Sequence, residues 1–109
     1  MLEPHVDETT VQGLQQWFGA ECNGDWEHSY GVVIETTDNP GWSVEIDLNE
    51  TRLACRGTPP VKQHISQDDW LHIEVTDTKF IGTGDPTKLV VILEAFMEFR
   101  NSVQDDEFK

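Results

Sequence analysis

Hydrophobic and polar residues alternate along several short runs in the middle of the chain. Between Trp42 and Asn49 every second residue is apolar and each neighbour is polar, which is typical of a strand with one buried and one solvated face. Further short runs bounded by turn residues predict strands over residues 30–37, 52–55, 61–65, 70–75 and 79–82. Pro40-Gly41 lies between the runs over residues 30–37 and 42–49 and predicts a turn there.

Two longer segments, one near each end of the chain, carry apolar residues at the helical spacing of three and four. The first begins near Thr9, and its apolar residues are Val11, Leu14, Trp17 and Phe18. The second follows Asp85-Pro86, which suits an N-cap and a first helical position. Its apolar residues are Leu89, Ile92, Leu93, Phe96 and Met97. Both segments predict amphipathic helices that pack one face on a sheet.

The order helix, strands, helix predicts a single α+β domain over residues 1–109. We expect two layers: a meandering antiparallel sheet of five or six strands, with the N-terminal and C-terminal helices packed on one face. The other face is then solvated, and it carries Glu45, Asp47, His72 and Glu74. We expect residues 1–7 and 103–109 to be flexible.

Charge is distributed unevenly along the chain. The formal net charge is −14, and the first 51 residues contain eleven acidic residues but no lysine or arginine. Nucleic acid and anionic membranes are not expected partners, because binding them needs basic residues that displace counterions. The expected partner is a basic protein. Acidity that serves solubility alone is the competing interpretation.

Several further features favour a cytoplasmic protein. The N-terminus has neither the basic region nor the apolar region of an export signal. No run approaches the roughly 18 apolar residues of a membrane-spanning helix. Cys22 and Cys55 are far apart without a CxxC spacing, so we predict reduced thiols rather than a disulfide.

Two dense sequence words in the acidic half combine carboxylates with tryptophan. They are Gly24-Asp25-Trp26-Glu27-His28-Ser29-Tyr30-Gly31 and Asp38-Asn39-Pro40-Gly41-Trp42. Trp26 and Trp70 each have acidic neighbours, and a half-buried tryptophan ringed by charge is a common binding anchor. Each tryptophan is equally suited to closing the edge of a small core.

A metal-binding or enzymatic domain is the alternative from a different functional class. Asp25, Glu27, His28, His64 and His72 are of the types that bind zinc or a non-haem metal. They have no HxH, HxxxH or HExxH spacing, and the chain has no nucleophile elbow, glycine-rich phosphate loop or Cys-His signature. We therefore predict no enzyme activity and no cofactor, and keep a small metal- or ligand-binding domain as the alternative.

The two words and their surroundings resemble the immunity protein 53 family of bacterial polymorphic toxin systems. The resemblance covers about residues 12–100. It rests on the two words and on Trp17, Ile46-Asp47-Leu48, Asp69-Trp70, Lys79-Phe80, Gly82, Gly84 and the closing helix with Leu89, Ile92, Leu93 and Phe96. It implies a small α+β protein that protects its producer by binding a toxin domain.

The resemblance turns the expected basic protein into a cognate toxin domain. Many such toxins are nucleases, whose active sites are cationic because they hold phosphates. We expect stoichiometric occlusion, in which complementary charge speeds encounter and aromatic anchors slow release. The residues predicted to contact the partner are Asp25, Trp26, Glu27, His28, Asp38, Glu45, Asp47 and Trp70.

Overall fold

The structure, a computed structural model, describes residues 6–107, with side chains described for residues 10–103. The described residues form three helices and five strands. In chain order these are α1 (Val6–Glu21), α2 (Trp26–Ser29), β1 (Val32–Thr37), β2 (Gly41–Asp47), β3 (Thr58–Ser66), β4 (Asp69–Val75), β5 (Lys79–Gly84) and α3 (Leu89–Glu107). Residues 1–5 and 108–109, which belong to the two segments predicted to be flexible, lie outside the described residues.

The five strands form one antiparallel sheet in the order β1-β2-β5-β4-β3. The predicted α+β class with one helix at each end is confirmed. The chain makes a hairpin from β1 and β2 and a three-stranded meander from β3, β4 and β5. The β2–β5 pair joins these two units, with Trp42 opposite Gly84 and Asp47 opposite Lys79.

The residues between β2 and β3 form turns instead of the short strand predicted over residues 52–55. The Thr51 hydroxyl donates to the Leu48 carbonyl and accepts from the Leu53 N–H, and the Cys55 N–H donates to the Asp77 carbonyl at 2.8 Å. Cys55 has a positive φ of 61°, outside the strand region. Leu53 is buried within these turns, at 3% exposure, and the strand prediction is wrong.

The helices cover one face of the sheet, and the core lies between the helices and the sheet. α1 packs against α3, and α3 packs against β5. The rings of Trp17 and Phe80 each meet Phe96 edge to face, with centroids 5.1 and 5.3 Å apart. Apolar residues of the sheet and of the connection after β2 complete this core: Val44, Ile46, Leu48, Leu53, Leu71 and Val75.

The opposite face of the sheet has no helix on it among the described residues. Val44 and Ile46 point into the core, so Glu45 and Asp47 point away from it, as the period of a strand requires. The register aligns Glu45 with Ile81, and Ile81 with Glu74. His72 lies opposite Thr83 on the same face. Glu45, Asp47, His72 and Glu74 therefore lie on the face away from the helices, as predicted, and we call it the open face.

No helix within residues 6–107 is both long enough and apolar enough to cross a membrane.

Candidate partner-binding surface

The first sequence word folds around a buried tryptophan. Trp26 is 2% exposed and meets the Trp17 ring edge to face, with centroids 5.8 Å apart. Its indole N–H donates to the Asn49 carbonyl at 2.8 Å, which ties α2 to the turn after β2. In the protein alone the Trp26 side chain thus belongs to the core, and this corrects its predicted place at the surface.

Glu27 holds the same loop through its carboxylate. Oε1 accepts from the Asn23 N–H at 2.9 Å and Oε2 from the Gly24 N–H at 2.8 Å. Hydrogen bonds from backbone N–H groups, its own first and then those of Asn23 and Gly24, lower the pKa of Glu27. Asn23 Oδ1 in turn accepts from the N–H groups of Asp25 and Trp26. These contacts give Glu27 a structural role in shaping the turn before α2.

Asp25, His28 and Ser29 have side chains that are exposed to solvent, and the first two were predicted to contact a partner. Asp25 precedes α2 and His28 lies within it, in a loop-and-helix segment that Trp26 and Glu27 fix in place. Because Trp26 bonds to Asn49, the loop sits beside the end of β2. A partner can reach both side chains at that end of the sheet.

The second word also contains structural residues. The indole N–H of Trp42 donates to the Pro86 carbonyl at 3.0 Å, which links β2 to the turn before α3. A Cβ at Gly41 would collide with the backbone carbonyl oxygen of Gly84 on β5, so only glycine fits there. Asp38 is exposed in the turn between β1 and β2, at the opposite end of β2 from Asp25.

Trp70 and Asn39 lie at this same end of the sheet. Together with His64 and Gln67 they line a shallow cavity of about 480 Å³. The Trp70 side chain is half-buried, which suits a surface contact better than the buried indole of Trp26. The structure therefore brings Trp70 close to the Asp38–Asn39 turn, although the two lie far apart in the sequence.

Glu45 and Asp47 lie on the open face, where Lys79 partly neutralises them. Lys79 Nζ is 3.1 Å from Glu45 Oε1 and 3.9 Å from Asp47 Oδ1. The hydrogen bond to Glu45 and the charges of Glu45 and Asp47 raise the pKa of Lys79. Asp47 Oδ2 also accepts from the Gly31 N–H at 2.9 Å. Asp47 thus holds the start of β1, while Glu45 is the more available carboxylate.

The residues predicted to contact a partner therefore follow the length of the sheet. Asp25 and His28 lie beside the end of β2, Glu45 and Asp47 on the open face, and Asp38 with Trp70 at the other end. Seven strand residues at roughly 3.3 Å each separate the two ends by roughly 20 Å. They form a band along the molecule and no single cluster.

Sequence reasoning did not find an ion-pair network beneath Trp70. The carboxylate of Asp85, with no exposed surface, accepts from the Trp70 N–H at 2.8 Å. Lys88 Nζ lies 2.7 Å from Asp85 Oδ2 and 2.9 Å from Asp69 Oδ1. Asp85 also accepts from the Thr87 N–H, and α3 begins at Leu89. The helix start predicted at Asp85-Pro86 is therefore a hydrogen-bonded turn that precedes α3.

An apolar groove between α1 and β1 is the second feature that the sequence did not indicate. Its volume is about 400 Å³, and it is lined by Val11, Leu14, Gln15, Phe18, Tyr30, Gly31 and Val32. Val11 and Phe18 were expected to face the core, yet they are 51% and 36% exposed. The groove is open because α1 packs against α3. Trp17 is the only buried apolar side chain of α1 among residues 10–21.

The alternative metal site has no support among the described residues. No group of three or more His, Cys, Asp or Glu side chains able to hold a metal ion occurs among the described residues. His28 lies in α2, whereas His64 and His72 lie on β3 and β4. The five predicted ligands are thus divided between the loop beside β2 and the open face.

A protein-family model described as immunity protein 53 matches residues 11–101. The chain belongs to the immunity protein 53 family. The match includes both sequence words and every described strand, and it confirms the family that the resemblance indicated. No match was found among curated proteins or among solved structures. Family membership makes this an immunity protein, and immunity proteins have toxin partners.

Proposed function

We propose that this protein neutralises the cognate toxin domain of a bacterial polymorphic toxin system by forming a stoichiometric complex that occludes it. The proposal places the complex in the cytoplasm of the producing cell and assigns no catalysed reaction to the immunity protein. The toxin domain is basic at its contact surface. A nuclease fits this description best, because an active site that holds phosphates is itself cationic.

The spatial arrangement of charge carries this proposal. The first 51 residues, which lack lysine and arginine, supply α1, α2, β1 and β2. β1 and β2 are neighbours at one edge of the sheet, so the charge asymmetry of the sequence becomes an asymmetry of the folded molecule. One side attracts cations over about a Debye length of roughly 8 Å, and it steers a basic partner toward this edge.

The proposed contact residues on that side are the exposed ones together with half-buried Glu45. Asp25, His28, Asp38 and Glu45 are accessible to a partner, and half-buried Trp70 offers an aromatic anchor at the far end of the open face. Trp26, Glu27 and Asp47 support this surface from within through their hydrogen bonds. Charge sets the encounter rate in such a complex, whereas the buried anchor governs dissociation.

Co-expression with the toxin domain encoded by the neighbouring gene tests the proposal. We expect cells that express the toxin domain alone to stop growing, and cells that also express this protein to recover. A complex of the two chains should co-purify. Growth arrest that persists at high levels of folded immunity protein, without a complex, would contradict the proposal.

A further inference from the structure

The two edges of the sheet differ in their protection against added strands. β3 carries Pro59, Pro60 and Lys62, and its pairing with β4 shifts register at two places. Prolines, lysines and bulges are the usual features that block edge-to-edge pairing. β1 has none of them: it pairs with β2 in unbroken register from Val32 to Thr37. No strand among residues 6–107 pairs with its outer side.

The pairing pattern identifies the backbone groups on this outer side. The Asp47 N–H donates to the Gly31 carbonyl at 3.0 Å, so Gly31 directs its carbonyl toward β2. Alternate residues of an antiparallel strand direct their N–H and C=O groups to opposite sides. Val32, Ile34 and Thr36 therefore direct theirs outward, in the positions that a further strand needs.

The side chains of the same residues face the helix layer, beside the apolar groove. Val32 lines the groove, and Ile34 is 41% exposed just beyond it. On the open face, β1 presents Val33 and Glu35. A strand added along β1 would thus place alternate side chains over an apolar groove and beside a carboxylate.

We propose that an extended segment of the toxin domain adds to β1 as a sixth strand of the sheet. It places an apolar side chain in the groove between α1 and β1, and a lysine or arginine beside Glu35. Strand addition of this kind draws affinity from main-chain hydrogen bonds and specificity from the pockets for alternate side chains. The inference rests on the proposed function and names the surface through which it operates.

Charge favours a basic partner over a second copy of this chain. Each copy has a formal net charge of −14. Pairing two β1 edges would bring together the two sides that lack lysine and arginine over residues 6–51. Like charges on neighbouring strands are destabilising. A basic segment meets the same edge with the opposite sign.

Hydrogen exchange in the complex with the toxin domain tests the inference directly. The amides of Val32, Ile34 and Thr36 should exchange at least about tenfold more slowly in the complex, as new hydrogen bonds require. The amides of β3 should keep their rates. Protection of β1 that appears without toxin and grows with protein concentration would assign the edge to a second copy and overturn the inference.

Two matched pairs of variants distinguish the contribution of the β1 backbone to toxin binding from that of the groove. Ile34→Pro removes an outward N–H without touching the β2 pairing, whereas Ile34→Ala removes only the side chain. We expect Ile34→Pro to weaken toxin binding by about tenfold more than Ile34→Ala does. Val11→Lys should weaken binding, while Val61→Lys, at a β3 site of matched exposure (51% and 50%), should not. Circular dichroism verifies that each variant is folded.

The possible results distinguish this inference from the proposed function. A tight complex in which β1 gains no protection would overturn the strand addition and leave the proposed function intact. The absence of any complex with folded protein would overturn both. Equal losses from Ile34→Pro and Ile34→Ala, with β1 unprotected, would assign binding to a side-chain contact at Ile34 instead.

Discussion

Lys88 and Asp85 form an ion pair beneath Trp70, with Lys88 Nζ 2.7 Å from Asp85 Oδ2. The same carboxylate oxygen accepts the Trp70 N–H at 2.8 Å. Lys88 also reaches Asp69, the first residue of β4. The pair thus ties the start of β4 to the turn that precedes α3. The position of Trp70, a proposed contact residue, therefore depends on a network centred on the buried Asp85 carboxylate.

The network makes a specific contribution to stability at acid pH. Hydrogen bonds from Lys88, then Thr87, hold the pKa of Asp85 well below its usual range. An unfolded aspartate has a pKa of about 3.9. The stabilising contribution is therefore present above about pH 4 and is lost as the pH falls through the lower pKa of the folded state. We expect Asp85→Asn to unfold at a lower urea concentration than the wild type at pH 7.

Urea titrations between pH 7 and pH 2 measure this dependence. The difference in the urea concentration of half-unfolding between the wild type and Asp85→Asn should become smaller as the pH falls below about 4. Asp68→Asn serves as the control, because Asp68 is exposed in the neighbouring turn. A difference that stays constant over the whole range would show that the charge of Asp85 is not what stabilises the fold.

Gly41 and Gly19 should respond in opposite ways to substitution by alanine. A Cβ at Gly41 collides with the Gly84 carbonyl oxygen, whereas a Cβ at Gly19 has no atom within 4 Å. Gly41→Ala should lower the free energy of unfolding by about 1–3 kcal/mol, because the β2–β5 pair must separate. Gly19→Ala in α1 should raise it by up to about 1 kcal/mol. Thermal denaturation of both variants checks the signs.

Substitution of Trp26 and of Trp70 by alanine should have different effects on stability and on toxin binding. Trp26→Ala removes a ring that is 2% exposed, so it should lower the free energy of unfolding by about 3–5 kcal/mol. Trp70→Ala removes a half-buried ring and should lower the free energy of unfolding by about 1 kcal/mol. Trp70→Ala should nevertheless weaken toxin binding in a folded protein. Equal stability losses, or unchanged binding by Trp70→Ala, would contradict these assignments.

Charge reversal on the side of the molecule that the first 51 residues form should slow association with the toxin domain. The double variant Asp25→Lys, Asp38→Lys changes two exposed carboxylates at opposite ends of β2. We expect its association rate at low salt to fall by about tenfold and its salt dependence to flatten. The control, Glu94→Lys with Glu98→Lys, makes the same charge change on α3. Equal effects of the two doubles would point to net charge and not to a surface.

The sequence predicted the elements whose burial follows a regular period. The faces of β2 followed from strict alternation over Trp42 to Asn49, since each side chain points opposite to its neighbour. The position of β5 between β2 and β4 did not follow, because strand order depends on which edges meet after the chain folds. Residues 52–55 were also predicted to form a strand, but the hydrogen bonds of Thr51 and the positive φ of Cys55 place them in turns.

The candidate surface was predicted less completely, for a physical reason. Acidic neighbours suggested exposure for Trp26, yet Glu27 turns back to cap the loop and leaves the indole in the core. The helical pattern of α1 placed Val11 on a buried face. It did not reveal that α1 leans on α3 and leaves a groove beside β1. Such features depend on how helices pack across the sheet, which periodicity alone does not encode.

A calorimetric titration of the toxin domain encoded by the neighbouring gene with this protein measures whether inhibition is stoichiometric. We expect saturation at about one equivalent, as a stoichiometric inhibitor requires, and loss of toxicity in cells at the same ratio. The absence of binding by folded protein would contradict this expectation, as would complete inactivation of the toxin by far less than one equivalent.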